Sequence, residues 1–172
     1  PIYLKNVSAE RIQAELVKLL VSPHPDYLRA AYETGITKEF LPEFDLCMET
    51  EQNTPYHCFT VGEHILHSLL YVEADKVLRL TMLLHDIAKP VMKTTDENGR
   101  DHFKRHAAVG EEMSKKILRR LKFDNDTIEK VSRLIRYHDD RPEGQMRAVR
   151  RAMNRIGEEL FPLYLEVQKA DM

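Results

Sequence analysis

Apolar residues recur at three- and four-residue intervals along almost the whole chain, and that period admits helices and little else. Ile12, Leu16, Leu19 and Leu20 form the first such stripe, with Ser8 placed to cap the helix and Pro23 and Pro25 to stop it. A short helix over residues 26–33 is expected next, ended by Gly35. Residues 40–55, punctuated by Pro42 and Pro55, read as irregular. A helix starts near Thr60 and carries Ile65, Leu66, Leu69 and Leu70. Another covers residues 75–88 with Val77, Leu80, Leu83 and Leu84 on its buried side, and Pro90 limits its continuation. A polar loop over residues 93–101 contains Asn98-Gly99, a turn signal. Further helices are expected over residues 106–121, 124–138, 145–156 and 159 to the end. No segment alternates with period two over a useful length, and no internal repeat is visible. The fold class is all-α: a helical bundle over residues 56–172 with a small N-terminal helical subdomain over residues 1–55.

A chain of 172 residues with 42% hydrophobic and 31% charged residues is long enough for one packed core. Its net charge of -2 provides no global basic field for nucleic acid, so any such partner needs a local patch. Two cysteines, Cys47 and Cys58, are too few for a disulfide framework and lack zinc-finger spacing. They read as reduced thiols of a cytoplasmic protein. No apolar run approaches the roughly 20 residues of a membrane span.

Eight histidines stand out by position. In Leu83-Leu84-His85-Asp86-Ile87-Ala88-Lys89 an apolar turn gives way to adjacent His and Asp. Neighbouring helical residues point about 100° apart, so they share an ion only at the edge between their directions. Alone, the pair is equally a buried hydrogen bond. His64, among Val61, Ile65 and Leu66, lies near a packed face of the preceding helix. His106 opens one later helix and His138 closes the next. Asp171 follows Leu163 and Val167 at four-residue steps on the last helix. Polar residues on core-facing stripes of four or five successive helices need a common explanation, and a metal inside a helix bundle supplies one.

The order His64, His85-Asp86, Asp171 resembles the HD superfamily of metal-dependent phosphohydrolases, whose corresponding residues hold a metal. A longer resemblance runs through Ser8-Ala9-Glu10-Arg11-Ile12, Glu15-Leu16, Leu41-Pro42-Glu43, Tyr56-His57 and Val61-Gly62-Glu63-His64. It continues through His102-Phe103, His106, Gly110 and Lys169-Ala170-Asp171. These motifs look like the C-terminal part of bacterial tRNA nucleotidyltransferases of the poly(A)-polymerase type. The resemblance implies an RNA-binding neck up to about residue 55 and an HD domain after it. Nothing matches the nucleotidyltransferase head, so this chain alone is not expected to add CCA. Ala88 stands where the family usually has glycine. The chain begins Pro1-Ile2 and stops one residue after Asp171, which reads as a piece of a longer protein.

Two imidazoles and two carboxylates form a mixed nitrogen and oxygen set suited to manganese, nickel, cobalt, iron, magnesium or zinc. Four protein ligands leave positions open for a water, whose pKa a cation lowers from about 15.7 toward about 7 in the best cases. The expected chemistry is attack on phosphorus in a nucleotide, another phosphorylated small molecule, a 2′,3′-cyclic phosphate or an RNA end. Lys89, one turn beyond His85, reads either as the cation that stabilises developing charge or as a surface lysine. His106 and His138 read as ligands of a second metal bridged by Asp86, as acid or phosphate donors, or as helix-terminal residues interacting with dipoles. His57 is a candidate for the mouth of the site, and His67 for its surroundings or the surface; His24 and His102 read as structural or solvated. Arg147, Arg150, Arg151 and Arg155 form a basic helix. It reads either as a track for tRNA phosphates or as a solvated face paired with Glu143, Glu158 and Glu159.

Overall fold

A computed structural model describes residues 6–53, 59–142 and 144–172. The chain is all-α, with one very small two-stranded sheet. Ser8 accepts from the Arg11 amide and opens helix α1 (Ala9–Leu20). A 3-10 turn (Pro25–Tyr27) leads into α2 (Leu28–Glu33), and Gly35, at φ 76°, turns the chain into α3 (Thr37–Phe40). Residues 42–49 are not irregular as expected: they form α4 (Pro42–Glu49). Pro42 sits in the first turn, where a proline has no amide hydrogen to lose and its fixed φ suits the helix. Read as punctuation, it was in fact a helix start.

Thr60 caps α5 (Val61–Leu69) through the Glu63 amide, and Asp75 caps α6 (Lys76–Leu84) through Leu78. Helix α6 ends earlier than the expected residue 88. His85 is its C-terminal cap, residues 85–88 form a turn, and the chain restarts as α7 (Lys89–Met92), with Pro90 again in a first turn. The polar loop is a hairpin, β1 (Thr94–Thr95) antiparallel to β2 (Asp101–His102), closed by Gly99 at φ 76°. Its strands are two residues long, β1 exposed and β2 with Asp101 buried, too short to leave a period in the sequence.

Helices α8 (His106–Arg120) and α9 (Asn125–Tyr137) pack together most extensively of all pairs. Helices α10 (Met146–Ile156) and α11 (Phe161–Ala170) complete the chain. One hydrophobic cluster runs through Leu16, Leu28, Phe44, Leu66, Leu83, Ile117, Val131 and Val167, so the N-terminal helices share a core with those that follow. Arg79 fastens the two regions. Its buried guanidinium donates to the carbonyls of Leu20 (2.6 Å) and Ser22 (3.2 Å) after α1, and to Val72 and Glu73 before α6. Among the described residues, no helix is long and apolar enough to cross a membrane.

Candidate metal centre

Helix ends converge on one point inside the bundle. His85, His138 and Asp171 are the C-terminal caps of α6, α9 and α11, and His106 is the first residue of α8. His64 comes from α5. Carbonyl-rich helix C-termini favour a nearby cation, each by up to about 1 kcal/mol at ordinary exposure. Asp86 stands in the middle, in the turn that breaks the helix, and is 1% exposed.

The two oxygens of Asp86 face different partners. Oδ2 lies 3.6 Å from His64 Nε2, 3.4 Å from His85 Nε2 and 2.7 Å from Lys89 Nζ. Oδ1 lies 3.3 Å from His106 Nε2 and 3.7 Å from His138 Nε2. Asp171 Oδ1 completes the first set, 3.1 Å from His64 and 3.2 Å from His85. Two groups result: His64, His85, Asp86 and Asp171, and, sharing Asp86, His106 and His138. The helix break makes this possible. In a continuous helix His85 and Asp86 diverge, whereas the turn lets both reach the centre.

The imidazoles carry a second signature. His85 Nδ1 donates to Met82 O (2.7 Å), His106 Nδ1 to Phe103 O (2.9 Å) and His138 Nδ1 to Ile135 O (2.7 Å). Each bond is to a carbonyl three residues back, and each turns the Nε2 atom toward Asp86. The Nε2 atoms of His106 and His138 stand 3.1 Å apart, and those of His64 and His85 stand 3.2 Å apart. Two lone pairs facing at that range repel unless a proton or a cation lies between. Both carboxylate oxygens of Asp86 are buried without a well-aligned hydrogen bond, which is costly unless charge compensates. Clustered imidazole and carboxylate donors, with a buried carboxylate at their centre, together fit a divalent metal.

Electrostatics agree. Burial alone would raise the Asp86 carboxyl pKa; the Lys89 ammonium and the imidazoles reverse this and hold it well below the usual range. Asp171, also opposed by burial, is held low by His64 and His85. Burial would lower the His85 pKa, but Asp86 and Asp171 raise it to about 10.

Lys89 faces Asp86 across three residues rather than His85 across four. Its ammonium is buried, takes Gln52 Oε1 (3.0 Å) as a second acceptor and lies 5.4 Å from the Phe103 ring centroid. The surface-lysine alternative therefore falls. A cleft of about 700 Å³ opens beside Lys89 and His106, with Arg100, Lys104, Arg105 and Arg136 in its wall. Arg105 holds φ 66°, a conformation unfavourable for a side chain with a Cβ, directly before His106.

Other histidines stay apart. His24 stacks on Tyr27, His67 on Phe59, and His102 pairs with Asp96 at 2.8 Å. His57 and Cys58 lie outside the described residues. Ala88, at φ -90°, needs no glycine conformation, and its methyl faces Gly110 of α8. On α10, Arg155 pairs with Asp140 (3.2 Å) and lies over Tyr137, while Glu159 pairs with Lys130. Of the anticipated acids, Glu143 lies outside the described residues. Sequence reasoning missed Gln52 and Arg141, the latter 3.7 Å from Asp171 Oδ2. Both sit in irregular segments where no periodicity marks a face.

Comparison with known proteins agrees with this geometry. The family described as HD domain matches residues 54–171, and the one described as probable RNA and SrmB-binding site of polymerase A matches residues 2–48. The chain is 34% identical over 169 residues to a CC-adding tRNA nucleotidyltransferase of Thermus thermophilus. It is 33% identical over 168 residues to an A-adding tRNA nucleotidyltransferase of Deinococcus radiodurans. Each alignment takes in 94% of this chain and 38% of the relative, so the chain spans well under half the length of these curated relatives. A bifunctional uridylyltransferase/uridylyl-removing enzyme of Ruegeria pomeroyi is 30% identical over 153 residues, covering 76% of the chain and 15% of that protein. With that match over most of its length and its ligand-bearing helix ends gathered around Asp86, the chain belongs to the HD domain family.

Proposed function

We propose that this chain is a metal-dependent phosphohydrolase acting on nucleotides, 2′,3′-cyclic phosphates or RNA ends, within a cytoplasmic tRNA nucleotidyltransferase-like protein. The observation that carries the reading is Asp86, whose two oxygens each face a separate set of imidazoles. His64, His85, Asp86 and Asp171 hold one divalent cation, and Asp86 with His106 and His138 holds a second. The ions are drawn from manganese, nickel, cobalt, iron, magnesium or zinc. Bound there, they supply Lewis acidity toward a phosphoryl oxygen and an activated water.

The chain's own residues do the rest. Carbonyl-bonded Nδ1 atoms keep His85, His106 and His138 turned inward, so no reorientation is needed at binding. Lys89, held between Asp86 and Gln52, offsets negative charge developing on the phosphoryl group. The basic wall of the cleft, from Arg100 to Arg105 with Arg136, receives the anionic substrate.

Residues 1–55 and 56–172 act in this reading as a neck and an HD domain. A second function, that of a tRNA-binding body with a structural metal site, is supported by the N-terminal match and by the names of the two tRNA-modifying relatives. In it tRNA contacts the N-terminal helices and the Arg147–Arg155 face of α10.

Elemental analysis, combined with turnover of cyclic nucleotides, p-nitrophenyl phosphates and nucleotides under manganese, nickel, cobalt and magnesium, separates the two. Asp86→Ala should lower turnover at least about 100-fold while far-UV circular dichroism is retained. Stoichiometric metal and tRNA binding without turnover of any substrate assigns the second function instead.

A further inference from the structure

The segment between α4 and α5 contributes a side chain to the centre. Gln52 is 6% exposed, and both ends of its amide are engaged: Nε2 donates to Phe59 O (3.4 Å) and Oε1 accepts from Lys89 Nζ (3.0 Å). The amide cannot flip without placing its NH2 group against an ammonium. Its backbone is held just as firmly. Asp101 Oδ2 accepts from the Asn53 amide (2.8 Å), the Asp101 amide donates to Asn53 O (3.1 Å), and Asn53 Nδ2 donates to Gly99 O (2.7 Å). Lys93 Nζ, paired with Asp101 at 2.9 Å, donates to Glu51 O (2.7 Å). Residues 51–53 are thereby laid along the β-hairpin, with Gln52 turned toward the bundle.

Lys89 has two acceptors, Asp86 and Gln52, and only one of them is a metal ligand in the proposed function. When Asp86 Oδ2 ligates a cation, the ammonium loses its anionic partner and is repelled. Gln52 is the neutral acceptor that remains, and the Phe103 ring, 5.4 Å from the ammonium, offers it a second neutral partner. We propose that Gln52 is a positioning residue: it holds the Lys89 ammonium clear of Asp86 in the metal-loaded state and directed at the phosphate cleft. The proposal rests on the metal-centre reading above.

Calorimetric titration of the chain with Mn²⁺ tests it without reference to turnover. Gln52→Leu should weaken Mn²⁺ binding about tenfold, the scale of one hydrogen bond to a charged group. Lys89→Met, which removes the competing ammonium, should bind Mn²⁺ at least as tightly as the wild type. In that background Gln52→Leu should change affinity less than about twofold, because nothing is left to position. Gln52→Asn, one methylene too short to reach Lys89, should reproduce the loss if the leucine variant does not fold. Equal losses with and without Lys89 would assign Gln52 a purely structural role and overturn the proposal, as would no loss at all. A wild-type chain that takes up no Mn²⁺ instead overturns the metal centre, and this role with it.

Discussion

At the scale of single residues, the centre is a contest between protons and cations for the same lone pairs. His85 shows it most directly. Its pKa is opposed by burial but raised to about 10 by Asp86 and Asp171, above the ordinary 6.5. In the metal-free chain this imidazolium therefore contributes stability that is fully present below about pH 6.5 and lost as the pH rises through about 10. A ligating imidazole must be neutral, so in the proposed function cation uptake between those limits expels the His85 proton. Apparent affinity should then rise about tenfold per pH unit from pH 7 to 9. Titration in buffers of differing ionisation enthalpy should count about one proton released per site filled. Uptake independent of pH across that range would show that His85 carries no proton for the cation to displace. The residues of this site were largely legible in the sequence, since His64, His85, Asp86, His106, His138 and Asp171 all come together. Gln52 was not, because its role depends on a hairpin that pins an irregular segment, and nothing in the local residue types announces that.

At the scale of elements, the helices followed their apolar stripes, and the discrepancies were matters of where helices begin and end. Pro42, read as punctuation, sits in the first turn of a helix, while Pro90 follows the end of α6 as expected and also opens a short new helix. The expected helix over residues 75–88 was overridden at His85, where tertiary demands on the His-Asp pair outweigh continuation of the stripe. The hairpin of β1 and β2 lies below the length at which alternation is detectable. Gly62 marks a close contact between elements. A Cβ at Gly62 of α5 would stand 2.7 Å from the Met48 Cα of α4 and 2.4 Å from its sulfur. Helix α5 can therefore press against α4 only with glycine at that point, and α5 carries His64. Gly62→Ala should lower the unfolding free energy by about 1–3 kcal/mol, read from chemical denaturation. Because the backbone must shift, it should also weaken metal binding. An unchanged denaturation midpoint would show that α4 and α5 are less tightly apposed than described.

At the scale of the whole molecule, the N-terminal helices and the metal-bearing helices share one core and one buried arginine, so they are expected to unfold together. The basic face of α10 belongs to the outer surface. Arg147 and Arg151 are exposed, and neither forms an ion pair with an acid among the described residues. A tRNA held across α10 should bind more weakly to the Arg147→Ala, Arg151→Ala double variant. The dependence of log affinity on log salt should become shallower by about 1.5–2, as for two lost phosphate contacts. An unaltered salt slope in filter-binding assays would place the RNA elsewhere, with the N-terminal helices the remaining candidate. The carbonyl bonds that turn His85, His106 and His138 inward have a consequence for how such a protein is made. Half of the six gathered side chains are oriented by bonds to main chain, and those bonds do not depend on an ion, so these three rings should take up their places as the helices form. In the proposed function, a mixed nitrogen and oxygen donor set singles out no one divalent ion, so metal supply would count beside geometry: the same polypeptide, made in cells of different metal content, would mature into chemically different products.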